Sequence, residues 1–268
     1  MTKRFNDRPI GIFDSGVGGL TVLKEIERLL PFENIIYFGD TARVPYGNKS
    51  KATIVRFSTE CTLFLLKNKV KMIVIACNTS SALALEHLRS VFTIPIIGVI
   101  TAGVNKALSL NSVNKIGVIG TRSTIISGSY KREIQSFNRR VKVYSQACPL
   151  FVPLVEEGLL KGRIVNQTID MYLNKFRKNK VDTVILGCTH YPLLKFEISR
   201  YLKGTFIVDS AKEVASYTKG LLLKKGLLNS NKCKGKKIFY VSDEPLAFAR
   251  LAKLFLKRKI STPKIVNV

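Results

Sequence analysis

Short apolar runs recur along the whole chain, and most of them are continuous rather than alternating. They fall at residues 9–13, 34–38, 71–76, 95–99, 115–119, 141–145, 182–187, 205–208 and 237–241. A strand with one wet face alternates apolar and polar residues. A continuous run belongs to a strand covered on both faces, as in parallel sheets. Longer amphipathic segments lie between most of the runs, at 18–30, 50–68, 79–91, 123–137, 161–178, 190–202, 211–224 and 245–257. Strand alternating with helix predicts an α/β doubly wound fold with mainly parallel sheets.

Two runs end alike. Met72-Ile73-Val74-Ile75-Ala76-Cys77-Asn78-Thr79 and Thr183-Val184-Ile185-Leu186-Gly187-Cys188-Thr189-His190 each close on a thiol, 111 residues apart. Ile10-Gly11-Ile12-Phe13-Asp14-Ser15 resembles Ile116-Gly117-Val118-Ile119-Gly120-Thr121 at an offset of 106, and Val44-Pro45 resembles Val152-Pro153 at 108. Ordered matches at a nearly constant offset indicate a degenerate internal duplication. The expected architecture is two similar α/β units facing each other across a cleft, with ligand at the carboxyl ends of the strands. Asp14, Cys77 and Cys188 all stand at such ends.

A length of 268 residues accommodates one large domain or two small ones. No apolar run reaches the roughly 18 residues of a membrane span, and residues 1–7 lack a secretion signal's apolar region. A cytoplasmic location is the expectation. Five cysteines, none at Cys-x-x-Cys spacing, and only two histidines argue against a metal centre. Free thiols are then either small buried apolar groups or reactive ones. The net charge of +26 invites a nucleic-acid reading. Yet the cations are spread along the chain. The densest group, Lys224-Lys225 with Lys232, Lys234, Lys236 and Lys237, flanks a loop-like segment. A solvated basic surface is expected, and nucleic-acid contact is not.

After Cys77 comes Asn78-Thr79-Ser80-Ser81, which reads as a helix cap and first turn. After Cys188 comes Thr189-His190-Tyr191-Pro192, with a proline suited to a first helical turn. Each thiol thus lies beside unpaired amides and small polar side chains that can receive a carboxylate and favour a thiolate. Three chemistries use two opposed thiols: a redox pair, a nucleophile with a helper, or proton transfer on both faces of one carbon. The duplication favours the third, because inverting a stereocentre needs a base on one side and an acid on the other. Asp14-Ser15-Gly16-Val17-Gly18-Gly19-Leu20 looks at first like a dinucleotide fingerprint. Thr21 stands where the third glycine belongs, and Asp14 would face a pyrophosphate. A tight turn that lets a small ligand approach the backbone fits better, with Asp14 aimed at a cation or a catalytic partner.

These residues carry a resemblance. Asp-Ser-Gly-Val-Gly-Gly-Leu at 14–20, Asp-Thr-Ala-Arg-Val-Pro-Tyr-Gly at 40–47, Ala-Cys-Asn-Thr at 76–79, Cys-Pro-Leu-Phe-Val-Pro-Leu-Val-Glu-Glu-Gly at 148–158 and Gly-Cys-Thr-His-Tyr-Pro-Leu-Leu at 187–194 resemble the glutamate racemases of the aspartate/glutamate racemase superfamily. The resemblance implies interconversion of L- and D-glutamate without a cofactor, supplying D-glutamate for peptidoglycan. Aspartate racemase or a related isomerase is the nearest alternative. Cys77 and Cys188 would be the acid/base pair, supported by Asp14, Glu156 and His190. Substrate contacts would come from Asp14, Ser15, Tyr46, Gly47, Asn78, Thr79, Thr189 and His190. The implied domains are 1–98 with 208–268, and 99–207, related by a pseudo-twofold, and a homodimer is expected. Cys61, Cys148 and Cys233 are left to packing or surface.

Overall fold

The computed structural model describes residues 5–110, 113–231 and 233–268. Lys232 of the basic cluster and residues 1–4 of the opening segment lie outside the described residues. In chain order the described strands are β1 (Ile10–Asp14), β2 (Ile35–Gly39), β3 (Met72–Ile75), β4 (Ile96–Gly98), β5 (Lys115–Gly120), β6 (Lys142–Ala147), β7 (Thr183–Gly187), β8 (Phe206–Asp209), β9 (Lys237–Val241) and β10 (Lys264–Ile265). The helices are α1 (Leu20–Leu29), α2 (Lys51–Lys67), α3 (Asn78–Leu83), α4 (Leu85–Val91), α5 (Val99–Leu108), α6 (Arg122–Ile126), α7 (Ser129–Phe137), α8 (Phe151–Glu156), α9 (Arg163–Lys178), α10 (Lys195–Tyr201), α11 (Ser210–Lys224) and α12 (Pro245–Leu256).

The strands form two sheets, ordered β10-β9-β2-β1-β3-β4 and β6-β5-β7-β8, and every pairing is parallel. The doubly wound α/β class read from the continuous apolar runs is what the chain adopts. The order β2-β1-β3-β4 in one sheet is repeated as β6-β5-β7-β8 in the other, so β1 corresponds to β5 and β3 to β7. Those are the strands whose sequences match. The central strands β1, β3 and β7 are buried at every residue. Each fully buried Ile, Leu or Phe contributes about 1.5–3 kcal/mol before entropy offsets it.

Helices from both halves pack together where they meet, α3 on α5, α6 and α7 among them. α11 packs on both α1 and α5, and α5 also packs on β7 and β8. One apolar cluster therefore runs from Ile10 and Leu20 through Val99 to Leu186, Ile198 and Val214. Two expected helices are each broken. The segment 79–91 divides at Ala84 into α3 and α4, and 123–137 divides at Gly128, which takes the left-handed φ of 65°. The segment 190–202 opens with a 3-10 turn, Tyr191–Leu194, whose Pro192 sits in the first turn, where an N–H would have no helical acceptor, and α10 follows from Lys195.

Candidate active site

Cys77 directly follows Ala76, whose N–H still donates to Phe13 O at 2.9 Å. Its extended backbone (φ −64°, ψ 121°) ends the strand path and caps α3. Cys188 directly follows Gly187 of β7 and precedes the Tyr191–Leu194 turn. The two thiols, 5% and 7% exposed, line one cavity of 320 Å³ between the sheets. The Cys77 sulfur lies 3.9 Å from Ser15 Oγ, and the Cys188 sulfur lies 3.9 Å from His190 Nδ1.

The duplicated positions converge on this cavity. Ser15 and Thr121, Val44 and Val152, Pro45 and Pro153, Cys77 and Cys188 all face it. Of the residues expected at a site, Ser15, Tyr46, Gly47, Asn78, Thr79, Glu156, Thr189 and His190 also line it. Asp14 does not. It is fully buried beneath the Ser15–Gly16 backbone, where its Oδ2 accepts from Gly16 N at 3.1 Å. Tyr46 contributes wall rather than a free hydroxyl, because its OH donates to Asp40. Thr121 and Arg122 were not anticipated as site residues. Thr121 was legible, since the duplication maps Ser15 onto it. Arg122 had no such signal, because its counterpart is Gly16.

Each half holds the other's polar groups. Tyr130 OH donates to Asn78 Oδ1 at 2.6 Å. Thr79 Oγ1 lies 3.0 Å from Thr121 Oγ1 and 3.1 Å from Thr124 Oγ1. Thr21 Oγ1 donates to Thr189 O at 3.1 Å, which gives the residue in the third-glycine position a purpose. The glycine turn is tight for a related reason. A Cβ on Gly18 would stand 2.3 Å from Thr189 Oγ1, and one on Gly19 would stand 2.5 Å from Asp14 Cβ. The close approach that the turn permits at Gly18 is by the opposite half of the protein, while Gly16 borders the cavity itself.

The two sides differ electrostatically. Burial, and then the neighbouring Asp14 carboxylate, push the Cys77 thiol up to about 11. Burial pushes Asp14 itself up to about 6, against the opposing pull of His190 and of nearby amides. Its Oδ1 has no hydrogen-bond partner in the protein, which is why desolvation dominates. For His190 burial disfavours the imidazolium, but bonds to Cys188 and Glu156 outweigh it and raise the group to about 10. Its Nε2 lies 2.8 Å from Glu156 Oε1. A cationic imidazole next to a sulfur supports a thiolate, and a carboxylate next to a sulfur supports a thiol. The two sulfurs therefore have unlike neighbours, a carboxylate beside Cys77 and an imidazole beside Cys188.

The remaining cysteines take no part in it. Cys61 and Cys148 are buried and Cys233 is exposed, all three as free thiols. A larger hollow of 680 Å³ lies on the outer surface by Arg177, Arg200 and Tyr201, with no thiol on its wall.

Residues 10–218 match the Asp/Glu/Hydantoin racemase family, a span that holds every cavity residue named above. The chain belongs to this family. The resemblance read from the motifs is borne out over nearly the full length. A glutamate racemase of Aquifex aeolicus (strain VF5) is 48% identical over 258 residues, covering 96% of this chain and 97% of that one. Among solved structures, a Francisella tularensis glutamate racemase in complex with D-glutamate is 42% identical with a TM-score of 0.92, covering 98% of both chains. The Bacillus anthracis glutamate racemase isoform RacE1 is 39% identical with a TM-score of 0.94, again covering 98% of both. The family's fold is thus the fold of this chain, two parallel sheets with a cavity at their strand ends.

Proposed function

We propose that this protein interconverts L- and D-glutamate by proton transfer at the α-carbon, with Cys77 and Cys188 as the acid/base pair and no cofactor. The observation that carries the proposal is that both thiols line one small cavity, each at the matching end of a duplicated strand. With the α-carbon between the sulfurs, one thiolate takes the α-proton. The C–H bond breaks, an S–H bond forms, and the electron pair is left on carbon, delocalised into the carboxylate. The opposite thiol then protonates the other face and is left as a thiolate. The reverse reaction exchanges the roles.

The barrier is high, because an amino acid's α-proton is far less acidic than a thiol, whose ordinary value is about 8.5. Amide and hydroxyl donors around the cavity, from Ser15, Asn78, Thr79, Thr121 and Thr189, receive the carboxylate and steady the developing charge. Asp14 and His190 manage the proton on each sulfur, and Glu156 orients His190. Asp14 also attracts the substrate ammonium through the Ser15–Gly16 turn. Tyr46 and Gly47 form the wall that receives the substrate from the first half.

Racemisation of L-glutamate without added cofactor, followed polarimetrically beside aspartate, tests the reading. Cys77→Ser and Cys188→Ser are expected to lose at least about a thousandfold in kcat while still binding glutamate. Full racemisation by either variant would refute the two-thiol mechanism, and a preference for aspartate would change the substrate. The same reading assigns the protein to the cytoplasm, as a homodimer that provides D-glutamate for peptidoglycan. Light scattering, and D-glutamate dependence of depleted cells, check those parts. Limited proteolysis near 98 and 208 checks the division into 1–98 with 208–268, and 99–207.

A further inference from the structure

Behind the cavity wall lies a buried polar cluster that the proton-transfer scheme does not use. Its centre is Asp40, fully buried, one residue past β2. Its N–H donates to Asp14 O at 3.0 Å, so it continues the β1–β2 ladder. One carboxylate oxygen, Oδ1, accepts from Ser242 Oγ at 2.9 Å. The other, Oδ2, accepts from Arg43 Nε at 2.6 Å and from Tyr46 OH. Arg43 is held in turn by Glu60 and lies over the Phe57 ring at 4.2 Å, while the Tyr46 ring packs on Phe57 with centroids 5.7 Å apart. Ser242 Oγ also accepts from Ala42 N at 2.9 Å, and Asp243 N donates to Thr41 Oγ1 at 2.9 Å.

These bonds have one consequence. The segment from Asp40 to Ser50 joins the end of β2 to α2, and its middle, Val44 to Asn48, is one wall of the cavity. From the other half, Ser123 Oγ donates to Gly47 O at 2.8 Å. The wall is therefore clamped on both sides, by Ser123 on one and by Asp40 on the other. Burial keeps the Tyr46 hydroxyl protonated, so it remains a donor to Asp40 throughout the physiological range.

We infer that Asp40 is a positioning residue, which fixes the substrate-receiving wall Val44–Gly47 by accepting from Tyr46 OH, Arg43 and Ser242 at once. The inference rests on the proposed racemase reading for its kinetic test. Asp40 touches no reacting atom, so its loss weakens substrate capture more than proton transfer. Removing the Tyr46 hydroxyl breaks the same link from the other end.

Tyr46→Phe and Asp40→Asn are the variants, since both preserve shape. Each is expected to raise KM for L- and D-glutamate about tenfold, as loss of a buried bond to a charged acceptor implies, with kcat falling less than threefold. The double variant should be no worse than Asp40→Asn alone, because the Tyr46–Asp40 bond is among those that Asp40→Asn already disturbs. Amide exchange of residues 44–48 should quicken about tenfold in Tyr46→Phe, with the β1 and β3 amides unchanged. Unchanged KM and unchanged exchange in Tyr46→Phe would overturn the inference, as would multiplicative losses in the double variant. Wild-type protein that leaves glutamate unracemised would refute the functional reading instead. The exchange measurement would then decide the positioning role alone.

Discussion

Gly18 and Thr189 meet across the cleft with no room for one more carbon: a Cβ on Gly18 would stand 2.3 Å from Thr189 Oγ1 and 2.5 Å from the His190 ring. Gly18→Ala therefore pushes Thr189 and His190 away from the first half, and with them the neighbouring Cys188. A misplacement of about 1 Å near the reacting centre costs on the order of a hundredfold in rate. Kinetics on Gly18→Ala should show that loss in kcat, with far-ultraviolet circular dichroism unchanged.

The pH dependence follows from Asp14 and His190. Asp14, raised by burial to about 6, is ionised only above that pH, so kcat/KM should fall on an acid limb near 6. Asp14→Asn should flatten the limb and lower the plateau between about tenfold and a hundredfold. His190, held cationic to about 10 by Cys188 and Glu156, should set an alkaline limb there. Glu156→Gln should draw that limb down by less than about one pH unit, because Glu156 is 41% exposed and solvent screens it. For stability the sign is fixed: a histidine raised above its ordinary 6.5 stabilises fully below 6.5, and that contribution fades as pH rises through about 10. Melting temperature should fall over that interval, with a shallower slope in His190→Gln.

Far from the cavity, Lys71 is fully buried and its ammonium donates to Glu33 Oε2 at 2.5 Å, Asn6 O at 2.7 Å and Leu227 O at 2.8 Å. All three of its protons are used. Glu33 Oε1 accepts from Asn229 N at 2.7 Å. The cluster ties the N-terminal segment and the loop after α11 to the foot of the first sheet. Lys71→Met leaves the Glu33 charge buried without its cation, at a cost of about 3–5 kcal/mol. Chemical denaturation should report that loss with KM unaltered, and Lys71→Met/Glu33→Leu should recover most of it.

Arg122 is the one lysine or arginine on the cavity wall among the described residues. It also borders an outer hollow with Lys49 and Lys51. A substrate with net negative charge is drawn toward such a lip, and salt weakens the pull. Arg122→Ala should lower kcat/KM about threefold to tenfold at low ionic strength. Its salt dependence should be flatter than that of wild type. An unchanged slope would mean that the entrance charge does not steer.

β1 to β9 lie where the apolar runs fall: burial on both faces leaves a continuous run in β1, β2, β3, β4 and β7, while β6, with no buried residue, shows only a short β-branched and aromatic stretch. β10, with two exposed residues, has no such run. Helix α5 was invisible to periodicity. It is wedged between the second sheet and α11, so Val99, Ile100, Ala102, Gly103, Val104 and Ala107 are all buried, and Thr101, Asn105 and Lys106 make too short a polar face to stand out. Helix α8 carries Pro153 inside a six-residue helix, which reads as a loop. The paired thiols were legible through their repetition. The Asp40 cluster was not, because Ser242 reaches it from 202 positions along the chain. Arg43 and Tyr46 stand only three and six residues from Asp40, inside the quoted 40–47 motif, but nothing in that spacing says that their side chains turn back onto its carboxylate.

The unequal companions of the two sulfurs, an aspartate on one flank and a histidine on the other, carry a thermodynamic consequence. Free enantiomers of an amino acid are isoenergetic in water, so forward and backward specificity constants must be identical however lopsided the pocket. Any bias between Asp14 and His190 can therefore surface only as turnover and Michaelis constant moving in step, slow release of one hand being matched by its tighter capture.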